Sequence, residues 1–234
     1  MSKRVSHSLL DPLLTTPLKG LYARFHLPAS LPPEAIVCCG HLFAIVGAVG
    51  FAFSATHWWG GVLAALGVAL AHTADVLDGT HARTTGQCRN GGELLDHFVD
   101  PLSFAYLVAG LAYSTDSQIG FWVGLAGVIV IYAMAVLTNI RAKMIGEFAL
   151  ARYGPTEFKT MLVLFGLSQS ALAGGLWGDA TLARPAAFWF MAAATAAGVV
   201  QLKISLWRAV REVNEEGAAT ADTTEWQIGE SQRS

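Results

Sequence analysis

The sequence predicts an all-α integral membrane protein with six transmembrane helices and an N-terminal amphipathic juxtamembrane helix. Of its 234 residues, 53% are hydrophobic and only 14% are charged, whereas soluble domains carry about 25% charged residues. The apolar residues form six runs, each close to the ~20 residues with which a helix spans a bilayer. None of these runs alternates like a barrel strand, so a helical bundle is expected to satisfy the backbone in lipid. The runs lie near residues 35–54, 58–77, 98–114, 118–140, 158–177 and 185–206.

Residues 1–30 are predicted to form a cytoplasmic N-terminal segment with one interfacial helix over residues 9–25. Apolar side chains recur there at helical spacing, and the charged residues lie off the stripe. Such a helix lies on the membrane surface or, equally well by its pattern, packs on the bundle. The segment has no uninterrupted apolar core, so it does not read as a signal peptide. The stripe consists of Leu10, Leu14, Leu18, Leu21, Tyr22 and Phe25.

The six runs form one predicted membrane domain over residues 31–211. The third run reaches transmembrane length only if its helix starts near Gly91, which places Asp96 and Asp100 inside the helix. The second and sixth runs contain pairs of small residues of the kind that lets membrane helices approach closely. These pairs are Gly61-x3-Ala65 and Ala194-x3-Gly198. Residues 212–234 are polar and are predicted to form a flexible tail.

The placement of basic residues predicts the orientation in the membrane. Of the 15 lysines and arginines, 14 lie in the two terminal segments, in the second and fourth connections between runs, or at the adjacent run ends. Only Arg184 lies at the opposite face. Basic residues accumulate on the cytoplasmic side of membrane proteins. Both termini and the aspartate-rich connection between runs two and three are therefore predicted to be cytoplasmic.

Two pairs of aspartates lie at the ends of neighbouring apolar runs. Asp75 and Asp78 are three residues apart, and Asp96 and Asp100 are four apart, so each pair lies on one helix face. A short connection makes the two helices antiparallel neighbours, which brings the four carboxylates together. Their mutual repulsion favours bound divalent cations, and oxygen ligands suit Mg²⁺, Mn²⁺ or Ca²⁺. Solvated carboxylates at frayed helix ends are the simpler explanation for one aspartate but explain two same-face pairs less well.

The residues between these pairs complete a longer pattern. Gly79 and Gly92 allow close approach of a ligand or backbone, Ala82 keeps a helix face clear, and Arg83 offers a fork of donors to a phosphate. The pattern reads Asp75-x2-Asp78-Gly79-x2-Ala82-Arg83-x8-Gly92-x3-Asp96-x3-Asp100. It resembles, at every spacing, the motif of the CDP-alcohol phosphotransferases.

This resemblance implies a membrane enzyme, commonly a homodimer, that displaces CMP from a CDP-linked donor with an alcohol in phospholipid synthesis. It implies two divalent cations, Mg²⁺ or Mn²⁺, bound by Asp75, Asp78, Asp96 and Asp100, with Asp100 also acting as the general base. It further implies that the CDP or CMP group binds at Asp78, Gly79, Ala82, Arg83 and Gly92.

Two local segments favour CDP-ethanolamine or CDP-choline as donor and diacylglycerol as acceptor. The segments "GELLDHFVD" and "YGPTEF" look like segments of choline and ethanolamine phosphotransferases. They nominate His97 and Glu157 as head-group or acceptor contacts, the latter because a carboxylate attracts a cationic amine. Gly154 to Glu157 also reads simply as a helix start, with proline in the first turn and an acid near the N-terminus.

A CDP-diacylglycerol-dependent phosphatidyltransferase is the alternative. Arg141, Lys143 and Arg152 are predicted to lie on the same side as the aspartates and would suit a phosphate of an acceptor such as inositol phosphate or glycerol phosphate. Serine would be another polar acceptor. The same three residues can also serve only as determinants of topology. Two histidines near the cluster, His72 and His81, are left open as metal or substrate contacts.

A cation channel or transporter is the non-enzyme alternative, because acidic groups in membranes also line ion pathways. A pathway requires polar groups along several runs towards the far side. The acidic residues in question all lie at one end, which favours a metal-dependent active site. A family member without catalytic activity is a further possibility, but all eight motif positions are present.

Overall fold

The computed structural model describes residues 3–6, 8–150 and 154–217, with the backbone alone for 3–6 and 148–150. Short 3-10 turns follow the first helix at Tyr22–Arg24 and precede the last at Ala180–Leu182. Within the described residues the α-helices are α1 Asp11–Leu21, α2 Pro33–Phe53, α3 Trp58–Thr85, α4 Asn90–Ser114, α5 Gln118–Ile145, α6 Pro155–Ala173 and α7 Ala183–Glu216.

The expected all-α membrane fold is confirmed, with one small addition. Two four-residue strands, β1 Lys3–Ser6 and β2 Glu147–Leu150, pair in parallel with Lys3 opposite Glu147. Strands this short add little to the fold. Their pairing ties the start of the chain to the segment that follows α5.

Five stretches of the described chain are long and apolar enough to cross a membrane: α2, α3, α4, α5 and Ala180–Glu216, which contains α7. The remaining long helix, α6, has 19 residues but is not among them. The face of α6 that packs on the bundle includes buried polar residues, among them Lys159 and Gln169. The count of six spans therefore stays a prediction, whereas the multi-pass membrane character is clear.

The predicted start of the third run is confirmed, because α4 begins at Asn90 and includes Asp96 and Asp100. The second run extends further than its apolar pattern. Helix α3 continues to Thr85, so the first part of the aspartate motif lies on helix rather than in the connection. Gly86 then ends the helix with φ of +70°, a left-handed conformation that glycine adopts without strain.

Neighbouring helices run antiparallel, which gathers particular ends at one side of the bundle. The N-terminal ends of α2, α4 and α6 meet the C-terminal end of α3 around a single cleft. Below the cleft, buried side chains from α2, α3, α4, α6 and α7 form the core. It includes Phe51, Val68, Leu107, Leu111, Leu162 and Met191.

Helix α1 lies against the outside of the bundle at the cleft end. It has no fully buried residue, and Leu13 is 68% exposed. Beyond it, Tyr22 packs against a cluster formed by Ile36, Ala74 and Leu77. The N-terminal segment thus contacts α3 with one side and presents leucines outward with the other, which accommodates both sequence-based readings.

One glycine of each small-residue pair makes a close contact with another helix of the same chain. A methyl group added to Gly61 would lie 2.3 Å from the carbonyl oxygen of Gly166 in α6, and one added to Gly198 would lie 3.0 Å from Val130 in α5. At the other end of the domain, α7 continues to Glu216. The rest of the predicted flexible tail, residues 218–234, lies outside the described residues.

Candidate active site

The four motif aspartates come together where the end of α3 meets the start of α4. One carboxylate oxygen from each of Asp75, Asp96 and Asp100 lies within 4.8 Å of the others. The i, i+3 and i, i+4 spacings place each pair on one face, and the antiparallel packing turns the two faces towards each other. All four aspartates line one cleft whose empty volume, including the part open to solvent, is about 450 Å³.

Asp78 is the most deeply placed of the four aspartates, with only 6% of the residue exposed. Its Oδ1 accepts a hydrogen bond from the backbone N–H of Gly79. Its Oδ2 is buried and has no hydrogen-bond partner within the described chain. A buried carboxylate oxygen without a partner is costly, and a bound cation removes that cost. The donor set therefore fits a hard divalent metal, which takes oxygen ligands.

Lys159 also lines the cleft. In the sequence it was only one of the basic residues that predict the orientation in the membrane. Its Nζ donates to Asp75 Oδ2 at 2.6 Å and lies 3.6 Å from Asp100 Oδ1. The Lys159 side chain enters from the first turns of α6, and only 7% of the residue is exposed. Its distance from the motif in sequence hid this role, because no local spacing links it to α3 or α4.

Helix α2 supplies the other wall of the cleft. Val37, Gly40 and His41 line it, and the ring Nδ1 of His41 lies 3.1 Å from the hydroxyl of Ser103 in α4. A methyl group added to Gly40 would lie 3.0 Å from the Cβ of Ala74, so α2 and α3 approach closely here. These α2 residues were not identified from the sequence, since an apolar run gives no sign of which side faces a cleft.

The residues expected to bind the nucleotide lie around the same end of the bundle. A Cβ atom on Gly79 would lie 3.3 Å from the guanidinium of Arg83, which is exposed. A Cβ atom on Gly92 would lie 3.6 Å from a carboxylate oxygen of Glu34. Ala82 is half-buried on α3, one residue before Arg83. Both glycines thus lie next to charged side chains at the cleft end.

The residues nominated for acceptor or head-group contacts are more scattered. His97 shares a 3.2 Å hydrogen bond with Asn139 Oδ1, and Lys143 is exposed on α5. Arg141 forms an ion pair with Glu212 of α7 and donates to the Glu147 carbonyl oxygen at 3.3 Å. Arg152 lies outside the described residues.

Glu157 is held by the N-terminal segment. Its Oε1 accepts hydrogen bonds from the Ser8 hydroxyl at 2.6 Å and from the Leu9 and Leu10 N–H groups at 2.8 and 3.1 Å. Its Oε2 accepts from the N–H of Gly154 at 2.8 Å. These contacts correspond to the helix-start reading of this segment, and they also anchor the entry to α1 on α6.

The two histidines beside the cluster differ in their surroundings. His81 is fully buried, donates from Nε2 to the Leu31 carbonyl at 2.8 Å, and therefore accepts at Nδ1 from the Tyr22 hydroxyl at 2.6 Å. Both nitrogens are thus engaged within the protein. His72 lies with Nδ1 3.8 Å from Asp75 Oδ2, and neither of its buried ring nitrogens has a hydrogen-bond partner in the described chain.

Comparison with known proteins identifies the family of the chain. The model of the CDP-alcohol phosphatidyltransferase family matches residues 33–200, which contain the whole aspartate motif and five of the long helices in full. The chain belongs to this family. The family and its matched relatives are transferases of phosphate groups.

The relatives include both cholinephosphotransferases and a phosphatidylinositol phosphate synthase. Human cholinephosphotransferase 1 is 27% identical over 187 residues, which cover 75% of this chain and 44% of that protein. The phosphatidylinositol phosphate synthase of Mycolicibacterium smegmatis is 33% identical over 91 residues, 39% of each protein. The chain spans less than half the length of the cholinephosphotransferases that it matches.

The fold is also similar to a solved structure. The crystal structure of Mycobacterium tuberculosis phosphatidylinositol phosphate synthase with CDP-DAG bound matches with a TM-score of 0.59. The match covers 92% of this chain and 100% of that one at 17% identity. At this identity the similarity establishes the fold only.

Proposed function

We propose that the protein is a metal-dependent phosphotransferase that displaces CMP from a CDP-linked donor with an alcohol. The observation that carries the proposal is the convergence of the four motif aspartates in one cleft at the α3–α4 junction. The family match supports the same reaction class. The floor of the cleft supports it over a channel, because the lining continues to Ala44, Val68 and Leu107 of the apolar core.

Two divalent cations, Mg²⁺ or Mn²⁺, are the proposed cofactors. Asp75, Asp78, Asp96 and Asp100 would hold them, and the partnerless Oδ2 of Asp78 supports this assignment. When bound, such cations neutralise a pyrophosphate and make CMP a better leaving group.

The chain's own groups would then orient the reactants. Asp100 accepts the proton of the acceptor hydroxyl as its oxygen attacks the β-phosphorus, and the bond from that phosphorus to the CMP oxygen breaks. Pro101 follows Asp100 inside α4 and has no N–H, so the carbonyl of His97, four residues earlier, lacks its helical donor beside the base. Gly79, Ala82, Arg83 and Gly92, with Asp78, would line the nucleotide site.

The proposed substrates are CDP-ethanolamine or CDP-choline and diacylglycerol. In sequence, human cholinephosphotransferase 1 matches over 75% of this chain, whereas the phosphatidylinositol phosphate synthase of Mycolicibacterium smegmatis matches over 39%. The ion pair of Arg141 with Glu212 also favours these substrates, because a guanidinium that is already paired is less available to the phosphate of a polar acceptor. His97 and Glu157 stay proposed acceptor or head-group contacts. For Glu157 this role would require exchange of at least one of its present hydrogen bonds.

A CDP-diacylglycerol-dependent transfer to a polar alcohol is the second candidate. It is favoured by the 33% identity to a phosphatidylinositol phosphate synthase, although over 39% of the chain. Lys143 and Arg152 would then be the remaining candidates for contact with an acceptor phosphate.

The deciding experiment gives the purified protein each donor class with each acceptor class. CMP release and the mass of the lipid product are measured together, with Mg²⁺ or Mn²⁺ present. Phosphatidylcholine or phosphatidylethanolamine is the expected product. A phosphatidyl-alcohol formed only from CDP-diacylglycerol would instead establish the second candidate, and no CMP release from any donor would contradict the reaction.

The orientation and the assembly are part of the proposal. We expect the cleft to face the cytoplasm, and Cys88, exposed between α3 and α4, reports on it. In a Cys38→Ala, Cys39→Ala background, a membrane-impermeant thiol reagent should label Cys88 only after the cells are opened.

A homodimer is expected as well, and the native mass in nanodiscs tests it, with a monomer as the contrary result. The exposed apolar side chains of α5 and α7, which include Ile129, Val136, Trp189 and Trp207, face lipid or such a partner.

A further inference from the structure

Lys159 is a buried cation inside the acid cluster. Its ammonium lies 2.6 Å from Asp75 Oδ2 and 3.6 Å from Asp100 Oδ1, and only 7% of the residue is exposed. On its apolar side it lies 5.7 Å from the centroid of the Phe104 ring. Within the described chain these two carboxylates are the acids in ion-pair contact with it.

The backbone position from which the Lys159 side chain enters the cleft is held by contacts of the two preceding residues. Two residues earlier, Glu157 accepts hydrogen bonds from Gly154 and from the segment before α1. One residue earlier, the Phe158 ring packs on Phe104, with ring centroids 5.3 Å apart. The backbone of this turn is therefore held, and the lysine side chain reaches the aspartates from a fixed base.

The charges of the cleft explain why a cation is needed there. Four ionised aspartates carry a formal charge of −4, and Lys159 reduces it to −3. Carboxylates this close repel strongly in a partly buried site. Among the residues that line the cleft, Lys159 is the one with a permanently basic side chain, so it offsets this repulsion when no metal is bound.

We propose that Lys159 is the internal counter-cation of the acid cluster and competes with divalent cations for Asp75 and Asp100. This inference rests on the metal site of the proposed function. Lys159 Nζ lies 2.6 Å from Asp75 Oδ2, and a cation held by the same carboxylate would be repelled by the ammonium, so the two cannot both bind Asp75 at full strength. Lys159 thus stabilises the metal-free cleft and weakens metal binding.

The test measures Mn²⁺ binding to the purified full-length chain by titration calorimetry and by the paramagnetic resonance of free Mn²⁺, without substrate. Lys159→Met removes the charge. The expected result is binding about tenfold tighter or more, since a competing charge within about 4 Å of a ligand is worth at least a factor of ten at a partly buried site. Lys203→Met, at an exposed position of α7, is the matched control and should bind as the wild type does.

Thermal unfolding supplies a second readout. Without metal, Lys159→Met should melt at a lower temperature than the wild type, and saturating Mn²⁺ should close the gap. Lys159→Gln, which keeps a donor but not the charge, should behave like Lys159→Met. A variant that is folded only in the presence of Mn²⁺ supports the proposal too, because the metal then replaces the missing ammonium.

Unchanged or weaker Mn²⁺ binding by the folded variants would overturn the proposal, as would failure of both variants to fold even with Mn²⁺. Absence of Mn²⁺ binding to the wild type would overturn it as well. These outcomes are separable from the fate of the proposed reaction. If Mn²⁺ binds in competition with Lys159 but no donor yields CMP, the reaction is wrong and this inference stands.

Discussion

The two halves of helix α3 solve different problems. In the first half, small residues bring backbones into contact: a methyl group added to Gly61 would lie 2.3 Å from the Gly166 carbonyl oxygen, and one added to Gly67 would lie 2.4 Å from the Gly47 nitrogen. In the second half, the three atoms nearest to a Cβ atom on Gly79 all belong to the flexible Arg83 side chain, the first of them at 3.3 Å.

The difference shows how a membrane bundle keeps an acidic cleft open. Close backbone packing in the first half sets the position and direction of α3 against α2 and α6. The second half can then present Asp75 and Asp78 to α4 with unfilled space around them. Rigidity and chemistry lie on one helix, about two turns apart, and the two halves should respond differently to substitution.

The largest expected effect comes from removing the metals, which should change the aspartate cleft and leave the packing of the first half of α3 intact. Chelation should abolish CMP release, and Asp75→Asn, Asp78→Asn or Asp96→Asn should each lower turnover by orders of magnitude. Thermal melting should show that the bundle stays folded. The control is Asp116→Asn in the connection after α4, where Asp116 pairs with Arg184 at 2.9 Å on the surface. Full activity in excess chelator, with no metal retained by mass spectrometry, would rule out the two-metal proposal.

Asp100→Asn should separate the base from the ligands. If Asp100 takes the acceptor proton, turnover falls about 10²–10⁴-fold while binding of the CDP-linked donor is largely kept. Donor binding and turnover are measured in one preparation across a Mn²⁺ titration. Recovery of turnover at high metal would contradict the base role and leave Asp100 as a ligand. Unchanged turnover would remove both roles.

Glycine substitutions sharpen the comparison between the halves directly. Gly67→Ala forces a methyl group against the α2 backbone and should lower the free energy of unfolding by about 1–3 kcal/mol, as overpacking does. Gly79→Ala should leave stability near the wild-type value and reduce donor affinity instead. Detergent-based unfolding and donor binding are measured for both. Equal loss of stability in the two variants would mean that the halves of α3 do not differ in this way.

The smallest expected effect concerns support of the second half by the N-terminal segment. Tyr22→Phe removes the hydroxyl that donates to His81 and should cost about 0.5–1.5 kcal/mol of stability. His81 keeps its bond to Leu31, so turnover should fall only slightly. Tyr113→Phe, 72% exposed at the far end, is the control in the same melting experiment. A loss of activity as large as that of the aspartate variants would show that His81 takes part in the reaction itself.

Local spacing in the sequence is enough to predict the helices and the acidic part of the site. Apolar runs of bilayer length predict the helices, because lipid leaves the backbone no other partner than itself. Intervals of three and four residues place Asp75 with Asp78 and Asp96 with Asp100 on single helix faces. The short connection then makes their meeting nearly obligatory, so the acidic half of the site follows from the spacing of its residues.

Only tertiary packing determines which residues from distant parts of the sequence contact the aspartates and the helices around them. Lys159 lies 84 residues from Asp75, and Arg141 lies 71 residues from Glu212, so no local period links either pair. Packing also turns the Gly61 pair inward onto α6. Such contacts depend on which faces of α3, α5 and α6 pack together. An apolar helix whose side chains are similar all around does not carry that choice in its own pattern, because lipid and a neighbouring helix make similar demands on it.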